Sequence, residues 1–557
     1  MTELSRRGLL TGAAAAAAAV GGTALAASPA TATTTGAESV APCSTTLGPV
    51  TIVPTDARYP DVVRGTNQRF VGRPEQVRLV ATTEQVVNAV QQAVQAGKRI
   101  QVRSGGHCYE DFVYNSAIQV VIDLSVMNAT YYDPDHNAIA VEAGAELRTV
   151  YETLYKTWGV TLPGGSCYAV AGGGHFTGGG YGLLSRLLGL TVDYLHAVEV
   201  VTVDANGTAQ RIVATRETFD THRELWWAHT GGGGGSLGVV TRFWFRDPKV
   251  PKGSPPEKVL PKAPPNVIVH ATSWLWDDLG EAGFTRLLKN WGTWHEANSG
   301  ASSPYKGLFG LLKLFKRNDA NSRIALTTQM DATRSDAAQL LDDYLTAVNA
   351  GLPAQMVPQA GPMGEHRALP QFAIPTPMPW FLATDWLSGA NPNLRFKNKS
   401  SYHRRGYSDS QIAGLYRQLT RTDYVNGDML VQVDSYGGQI NAVAADATAR
   451  PQRDSILKSQ FQVYWAPDQA DATHLQFIRE FYQDVFRDTG GVPVPNAVTD
   501  GAYVNYPDVD LNSSQWNTSG VRWSTLYWKG NYARLQQVKK KYDPRNVFRH
   551  TQSIELV

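Results

Sequence analysis

The chain has 557 residues, of which 43% are hydrophobic, and its formal net charge at pH 7 is +2. This length allows two or three domains with large cores, and the near-neutral charge argues against a nucleic-acid partner. Only three cysteines are present, Cys43, Cys108 and Cys167, so at least one lies outside any intrachain disulfide. Cys108 is interpreted as a small apolar packing residue. No His, Cys, Asp or Glu spacing is typical of a metal site.

The N-terminal residues have the pattern of a twin-arginine export signal. Arg6 and Arg7 precede an Ala-rich apolar stretch that ends near Ala27, and this stretch is too short to predict a membrane span. We therefore expect export by the twin-arginine machinery, removal of the signal, and a secreted protein without stable membrane insertion. The segment from Ser28 to Ser44, rich in Thr, Ala, Pro and Ser, predicts a disordered lead-in.

Helix-like and strand-like segments alternate from about residue 50 to 248. Thr83 to Val94 has apolar residues at three-to-four spacing, which predicts a helix, and Ile100 to Arg103 predicts a strand that leads into a glycine-rich loop. This mixed order favours an α+β domain that binds a cofactor. The other elements predicted here are strands at Val120 to Leu124 and Ala138 to Glu142, a helix at Leu147 to Trp158, and a hairpin from Ala197 to Ala214.

Two glycine-rich loops, sixty positions apart, each carry a reactive side chain. The first runs from Arg103 to Tyr109 and contains His107, and the second runs from Gly164 to Tyr168 and contains Cys167. Glycines let backbone N–H groups converge on a phosphate or a planar ring, so the pair suggests a cofactor held by two covalent bonds. The alternatives are a structural histidine, a disulfide from Cys167 to another cysteine, and tight turns that bind nothing.

The second half of the chain begins with a linker. Pro248 to Pro265 is dense in Pro and Lys, and after it Val267 to about Gly490 mixes long strands with amphipathic helices, which suits a substrate-covering domain. Near the end, the basic run Lys539 to Lys541 lies in a helix-like segment, where a solvated helix face is the favoured interpretation.

Four segments carry a resemblance to a known family: RSGGHCYEDF, PGGSCYAVAGGGHFTGGGYGLLSR, ELWWAHTGGGGGSLGVVTRF and AYVNYPD. They resemble the berberine bridge enzyme-like flavoprotein oxidases of the vanillyl-alcohol oxidase/p-cresol methylhydroxylase superfamily, especially its aclacinomycin-oxidising and glucooligosaccharide-oxidising members. The resemblance spans nearly the whole chain after about residue 50. It implies an α+β fold with a two-part FAD-binding domain of the p-cresol methylhydroxylase type, plus a substrate domain whose antiparallel sheet is covered by helices. The implied boundaries are the signal and lead-in at 1–45, the FAD-binding domain at 46–250, the substrate domain at 251–500 and a C-terminal return to the FAD-binding domain at 501–557.

The resemblance also implies how FAD is bound. His107 and Cys167 match the two attachment positions of a bicovalent flavin, at its 8α-methyl and C6 carbons, and His175 matches a histidine that hydrogen-bonds to the flavin. A satisfied core histidine is the alternative for His175. For the run Gly231 to Gly235, a turn without a ligand stays equally open. The other positions implied to contact FAD are Arg103, Ser104, Gly105, Gly106, Gly172, Gly173, Gly178, Gly179, Val239, Asn505 and Tyr506.

The late motif that begins at Tyr503 carries the implied catalytic base. Tyr503 matches the tyrosine that deprotonates the substrate hydroxyl in sugar-oxidising relatives, and a phenol that titrates near pH 10 needs help to do so at neutral pH. Asp434 and Gln432 match the Gln-x-Asp pattern of oligosaccharide oxidases, which implies that Asp434 orients Tyr503 or relays its proton. Tyr181 is implied to hold substrate or cofactor. The alternative for Tyr503 is aromatic packing alone.

These residues imply an oxidase that passes hydride from a carbinol carbon to the flavin, which dioxygen then reoxidises with release of hydrogen peroxide. The implied substrate is a small molecule, either an oligosaccharide or the sugar of a glycosylated natural product. A second interpretation is a tailoring oxidase that dehydrogenates or closes a ring in a polyketide or other secondary metabolite. A third is a resistance protein that binds a drug without turnover.

Overall fold

The computed structural model of the protein describes residues 47–318, 322–390 and 393–557. The predicted export signal, the predicted lead-in and Cys43 lie outside these residues. Within them, the strands form three sheets that follow one another along the chain.

The first sheet is small and mostly parallel. Its elements, in chain order, are β1 (Val50–Ile52), α1 (Tyr59–Val62), β2 (Gln76–Leu79), α2 (Thr83–Gln95), β3 (Ile100–Arg103) and β4 (Val120–Asp123). The strand order is β1-β2-β4-β3, in which β1 is antiparallel to β2 and the other neighbours are parallel. Thr82 caps α2, because its side chain accepts a hydrogen bond from the Gln85 N–H at 3.2 Å. Since β3 ends at Arg103, it leads directly into the loop that carries His107.

The second sheet is antiparallel, with the order β5-β6-β9-β7-β8. Its elements are β5 (Thr130–Asp133), β6 (Ala138–Glu142), α3 (Leu147–Trp158), α4 (Gly172–Thr177), α5 (Ser185–Leu188), β7 (Leu195–Val203), β8 (Ala209–Thr215), α6 (Arg223–Ala228) and β9 (Val239–Phe245). Gly159 ends α3 with φ 64°, a left-handed conformation that glycine adopts without strain. The loop of Cys167 follows α3 and leads into α4.

The third sheet has longer strands and is antiparallel throughout, with the order β13-β10-β12-β11-β16-β17-β15 and β14 paired to β10. Its strands are β10 (Asn266–Leu275), β11 (Leu308–Phe315), β12 (Arg323–Asp331), β13 (Val357–Pro358), β14 (Thr376–Pro379), β15 (Arg395–His403), β16 (Met429–Ser435) and β17 (Leu457–Trp465). The helices of this region are α7 (Trp276–Asn298), α8 (Ala337–Asn349), α9 (Trp380–Trp386), α10 (Asp409–Leu419) and α11 (Asp471–Val485). Because α8 packs beside β12 and α11 beside β15 and β17, helices cover this sheet.

The last two helices are α12 (Trp523–Trp528) and α13 (Tyr532–Tyr542), and α13 packs against α6. The prediction of a solvated helix face in α13 is wrong for Lys539, because its side chain is fully buried. Lys540 and Lys541 are exposed. Lys539 Nζ pairs with Asp543 at 2.6 Å and donates to the Ser236 carbonyl at 2.7 Å. A buried ammonium needs such partners, and the sequence run did not reveal them.

The α+β class predicted from the sequence is confirmed. The helices predicted at Thr83 and Leu147 form, as do the strands at Ile100, Val120 and Ala138, and the predicted hairpin is β7 paired with β8. The predicted linker joins β9 to β10 and contains no α-helix or strand of its own. The domain boundaries stay a prediction. Among the described residues, no helix is long and apolar enough to cross a membrane.

Candidate active site

One cavity of about 300 Å³ brings together most of the residues assigned from the sequence. Its wall contains loops from the first two sheets, one face of the third sheet and the segment after Tyr503. Gly172, Gly178, Gly179 and Val239 are not part of this wall. The assigned residues that line the cavity are Arg103, Ser104, Gly105, Gly106, His107, Cys167, Gly173, His175, Tyr181, Gln432, Asp434, Tyr503, Asn505 and Tyr506.

The two residues assigned to flavin attachment lie in the same cavity wall, and both are electrically neutral near pH 7. Burial lowers the pKa of His107 to about 4, so its imidazole is neutral, and a neutral imidazole has one ring nitrogen with a lone pair that can bond to carbon. Burial, reinforced by the nearby Glu365 carboxylate, raises the pKa of the Cys167 thiol. A thiolate at Cys167 therefore needs a local base to take its proton. Cys108 and Cys167 are free thiols rather than a disulfide pair.

The glycine loops present backbone donors to the cavity. Among the described residues, the N–H groups of Ser104, Gly105 and Gly106 donate no hydrogen bond, and neither do those of Gly234 and Gly235. All five residues line the cavity. Convergent unused N–H groups of this kind bind phosphate oxygens.

These features fit FAD. The donors of the two loops would hold its pyrophosphate, and His107 and Cys167 would hold its ring system. The run that begins at Gly231, for which a turn without a ligand was equally open, contributes Gly232 to Gly235 to the same wall. Arg103 is less available to contact FAD than its assignment implies, because its guanidinium pairs with Asp123. No group of three or more His, Cys, Asp or Glu side chains in the described ranges could hold a metal ion.

The assigned glycines outside the wall support other side chains instead. A Cβ on Gly178 would lie 1.9 Å from Asn505 Oδ1, so only glycine leaves room for that amide. A Cβ on Gly172 would lie 2.5 Å from the Phe176 ring. These close approaches explain the two glycines by packing.

His175 acts as a hydrogen-bond acceptor through one ring nitrogen. The Gly165 N–H donates to His175 Nε2 at 3.0 Å, which leaves Nδ1 to carry the ring proton. Burial, with a smaller contribution from the Lys458 charge, lowers the pKa of His175 to about 4. The ring is therefore neutral and supplies no positive charge to the cavity.

One face of the third sheet forms the polar wall of the cavity. Asp434 on β16 and Lys458 on β17 are directly opposite in the register, so their side chains point to the same face, and they form an ion pair of 2.8 Å. Gln432 lies two positions earlier on the same face, and its Nε2 donates to Asp434 Oδ1 at 2.9 Å. Gln432 Oε1 and Gln329 Oε1 are buried and have no partner among the described residues.

The Tyr503 ring lies between cationic and polar groups. Asn505 Nδ2 donates to the Tyr503 hydroxyl at 3.0 Å, and it also donates to the His175 carbonyl at 2.9 Å. Arg450 Cζ lies 4.4 Å from the centre of the Tyr503 ring, and Lys458 Nζ lies 5.5 Å from it. Burial raises the pKa of Tyr503, while Arg450, Lys458 and Asn505, in that order, act to lower it.

The other aromatic side chains hold this arrangement in place. The Tyr181 hydroxyl donates to the Ser435 carbonyl at 2.5 Å, so it is already used within the protein. Lys458 Nζ donates to the Tyr506 hydroxyl at 3.0 Å, and the Tyr506 ring stacks on Tyr109 with centres 5.6 Å apart. The pKa values of Tyr181 and Tyr506 are raised well above the ordinary phenol value, chiefly by burial. Tyr503 is thus better placed than either to ionise.

Several site residues were missed by the sequence analysis, chiefly Lys313, Glu365, Arg450 and Lys458. Lys313 Nζ is buried, lies 2.7 Å from His366 Nδ1, and has its pKa lowered to about 8 by burial. A usable signal existed for two of them: Lys313 and Lys458 sit in the apolar strand segments LFGLLKLF and LKSQFQVYW, where a lysine is expected only with a buried partner. Glu365 and Arg450 lie in irregular segments without such a pattern.

The chain is similar to known proteins over nearly all of its length. An FAD binding domain model matches residues 74–212, and a model described as berberine and berberine like matches residues 502–555. The chain is 46% identical over 561 residues to the aclacinomycin-N/aclacinomycin-A oxidase of Streptomyces galilaeus, which covers 100% of this chain and 99% of that relative. It is 33% identical over 533 residues to the hexose oxidase of Chondrus crispus, and the match covers 90% of this chain and 93% of that relative.

Among solved structures, a glycopeptide hexose oxidase complexed with teicoplanin superposes with a TM-score of 0.85 at 46% identity, covering 91% of this chain and 99% of that one. Its sequence identity and coverage extend the likeness over the FAD-binding and substrate-covering parts. The chain belongs to the berberine bridge enzyme-like FAD-linked oxidases of the vanillyl-alcohol oxidase/p-cresol methylhydroxylase superfamily, and it is an FAD-dependent oxidoreductase that acts on CH–OH groups.

Proposed function

We propose that the protein is a secreted oxidase that carries FAD bonded to both His107 and Cys167 and oxidises a hydroxyl group of a sugar, either free or in a glycoside, with dioxygen as the acceptor. The observation that carries this proposal is the setting of Tyr503, which lines the same cavity as His107 and Cys167. The relatives named above add support, because one is named a hexose oxidase and another a glycopeptide hexose oxidase.

The residues of the chain divide the work of the reaction. When bound, FAD supplies the acceptor for the hydride of the carbinol carbon and passes its electrons to dioxygen, which gives hydrogen peroxide. Tyr503 takes the hydroxyl proton, and Asn505 fixes the direction of its phenol oxygen. Lys458, held by Asp434, keeps positive charge beside the ring.

Two amide oxygens supply hydrogen-bond acceptors for a hydroxyl-rich substrate. Gln329 Oε1 and Gln432 Oε1 are buried, have no partner among the described residues, and belong to cavity-lining side chains. A buried acceptor without a donor is costly, and the hydroxyl groups of a sugar would satisfy both. This feature favours a saccharide or a glycoside over a substrate without hydroxyl groups.

The catalytic part of the proposal is tested by anaerobic reduction of the flavin. The wild-type holoenzyme is mixed with a panel of hexoses, oligosaccharides and polyketide glycosides, and bleaching of the flavin absorbance is followed. We expect at least one sugar-containing compound to bleach it, and we expect Tyr503→Phe to slow that bleaching about 100-fold or more at pH 7. Tyr464→Phe, at a buried tyrosine outside the cavity wall, is the control. Equal rates for wild type and Tyr503→Phe would remove Tyr503 as the base.

The covalent part is tested by denaturation. We expect flavin to stay with acid-precipitated wild-type protein, and His107→Ala and Cys167→Ala each to lose one of the two bonds, as seen in the mass and absorbance of flavin-bearing peptides. Cys108→Ala is the matched control, because Cys108 is a cavity-lining thiol without an assigned bond. Flavin that washes out of the denatured wild type would contradict both assignments.

A second candidate function is a tailoring oxidase that dehydrogenates a polyketide or closes a ring in it by the same hydride transfer. The likeness to an aclacinomycin oxidase favours it. The same panel separates the two functions, since this candidate predicts bleaching by the aglycone as well as by its glycoside.

Secretion is tested independently, by fractionating cells that produce the wild-type chain or its Arg6→Lys/Arg7→Lys variant. We expect the variant to stay inside the cell.

A further inference from the structure

Arg450 is a fully buried guanidinium whose charge no carboxylate balances. Its side chain is 1% exposed, and no ion pair joins it to an acidic residue within the described ranges. Its Nη1 and Nη2 atoms make no well-aligned hydrogen bond there. Instead, Arg450 Cζ lies 4.4 Å from the centre of the Tyr503 ring and 4.6 Å from that of Tyr402, with Tyr436 as the third phenol around it.

The groups around Arg450 that can supply negative charge are phenols. A buried charge without a counter-charge is strongly unfavourable, and the ionisable groups around this guanidinium are the phenols of Tyr402, Tyr436 and Tyr503. Of the three, Tyr503 lines the cavity, whereas Tyr402 and Tyr436 do not. An ionised Tyr503 would therefore balance Arg450 and at the same time face the substrate.

The other groups that face Tyr503 do not take over this role. Lys458 is farther from the ring than Arg450 and is paired with Asp434 at 2.8 Å, so its charge acts on Tyr503 less strongly than that of Arg450. Asn505 donates to the hydroxyl but is neutral. The rings of Tyr402 and Tyr506 have their centres 6.0 and 4.9 Å from that of Tyr503.

The backbone around Arg450 leaves room for this side chain. A Cβ on Gly231 would lie 2.5 Å from the Arg450 backbone nitrogen, and a Cβ on Gly179 would lie 3.5 Å from Arg450 Cδ. Both glycines have φ values that other residues rarely adopt, 142° and 118°. Gly179, assigned to the FAD site by resemblance, thus contacts Arg450.

We propose that Arg450 is a positioning residue that stabilises the phenolate of Tyr503, so that Tyr503 can accept the substrate's hydroxyl proton more readily than a phenol buried without a neighbouring cation. The inference rests on the proposed function and deepens it. The proton moves from the hydroxyl to the phenolate oxygen as the C–H bond gives up its hydride to FAD. Reduction of dioxygen to hydrogen peroxide consumes the two electrons, and release of a proton restores the phenolate.

The test is a pH titration of the substrate-free holoenzyme, followed by the absorbance of tyrosinate near 295 nm. Subtracting the titration of Tyr503→Phe from that of the wild type isolates the ionisation of Tyr503. Burial raises this midpoint and Arg450 opposes the rise, so the change caused by removing Arg450 decides the test. In Arg450→Met, measured against Arg450→Met/Tyr503→Phe, we expect the midpoint to rise by more than about one pH unit, a tenfold change in the ionisation constant. Arg450→Lys, which keeps the charge, should restore part of the shift.

A midpoint in folded Arg450→Gln, measured against Arg450→Gln/Tyr503→Phe, that equals the wild-type midpoint would overturn the inference, so a failure of Arg450→Met to fold leaves the test intact. An unchanged midpoint in folded Arg450→Met would overturn it as well. Because the titration uses no substrate, its outcome is independent of the bleaching experiment. A midpoint that rises when Arg450 is removed, together with no bleaching by any sugar, contradicts the proposed function and leaves the role of Arg450 standing.

Discussion

Tyr503 obtains its surroundings from residues that are far apart in the sequence. Asn505 comes from the same segment, Lys458 from β17, and Arg450 from the irregular segment before β17. The motif around Tyr503 was recognisable from the sequence, and so were His107 and Cys167, because each lies in a short contiguous pattern. The cations were not recognisable, since only strand pairing and loop packing bring them to the ring.

A prediction at this scale concerns Gly178. In Gly178→Ala, the added Cβ would lie 1.9 Å from Asn505 Oδ1, so the Asn505 amide must move away from the Tyr503 hydroxyl. We expect a loss of about tenfold in the rate of anaerobic flavin reduction, the value of one hydrogen bond, with the flavin content unchanged. Gly300→Ala, where an added Cβ meets nothing within 4 Å, should leave the rate as in the wild type. Loss of flavin in Gly178→Ala would instead support its assignment to the FAD site.

At the scale of elements, a buried cluster of charged side chains joins β15 to the His107 loop and to the Tyr503 segment. Lys397 on β15 pairs with Glu110 and, at 2.7 Å, with Asp508. Lys399 pairs with Asp508 at 2.7 Å and with Asp510 at 2.8 Å. Glu110 follows His107 by three residues, and Asp508 follows Tyr503 by five. The cluster therefore holds the His107 loop and the Tyr503 segment against one strand. The sequence did not predict it, because Lys397 and Lys399 belong to no motif.

We predict that Lys397→Met lowers the free energy of unfolding by about 3–5 kcal/mol, because it leaves buried carboxylates without their partner. The measurement is the shift in denaturation midpoint of the holoenzyme. Lys289→Met is the matched control, since Lys289 pairs with Asp409 at 2.8 Å but both side chains are more than half exposed, and such a pair contributes about 1 kcal/mol or less. Equal shifts in the two variants would show that the cluster adds nothing beyond a surface ion pair.

At the scale of the whole molecule, the α+β class followed from the sequence, because helical and strand periodicities in residues 83–158 are regular and local. The order of the third sheet did not follow, since β11 pairs with β16 across more than a hundred residues and local periodicity carries no information on such pairing.

A second property of the whole molecule is its set of buried neutral histidines. Burial lowers the pKa of His295 and of His403 to about 3, and that of His229 to about 4.

These histidines predict acid sensitivity. Their folded-state pKa values lie below the unfolded value of about 6.5, so their contribution to stability is complete above pH 6.5 and is lost as the pH falls from there towards 4. Each accounts for a slope of up to about 1.4 kcal/mol per pH unit. We expect the Tm of the holoenzyme to fall between pH 7 and 5, and to fall less in His295→Gln, which cannot take up that proton. The same fall in both proteins would contradict this account.

Two parts of the cavity wall come from different parts of the chain, so amino-acid substitutions can alter them separately. Gln329, Gln432, Asp434 and Lys458 all belong to the third sheet, whereas the loops with His107 and Cys167 belong to the first 250 residues. We therefore expect that exchanging Gln329 on β12 or Gln432 on β16 changes which hydroxyl compound fits the cavity and leaves the proposed flavin attachment residues in place. Substrate preference and flavin attachment can thus change through substitutions in different parts of the chain.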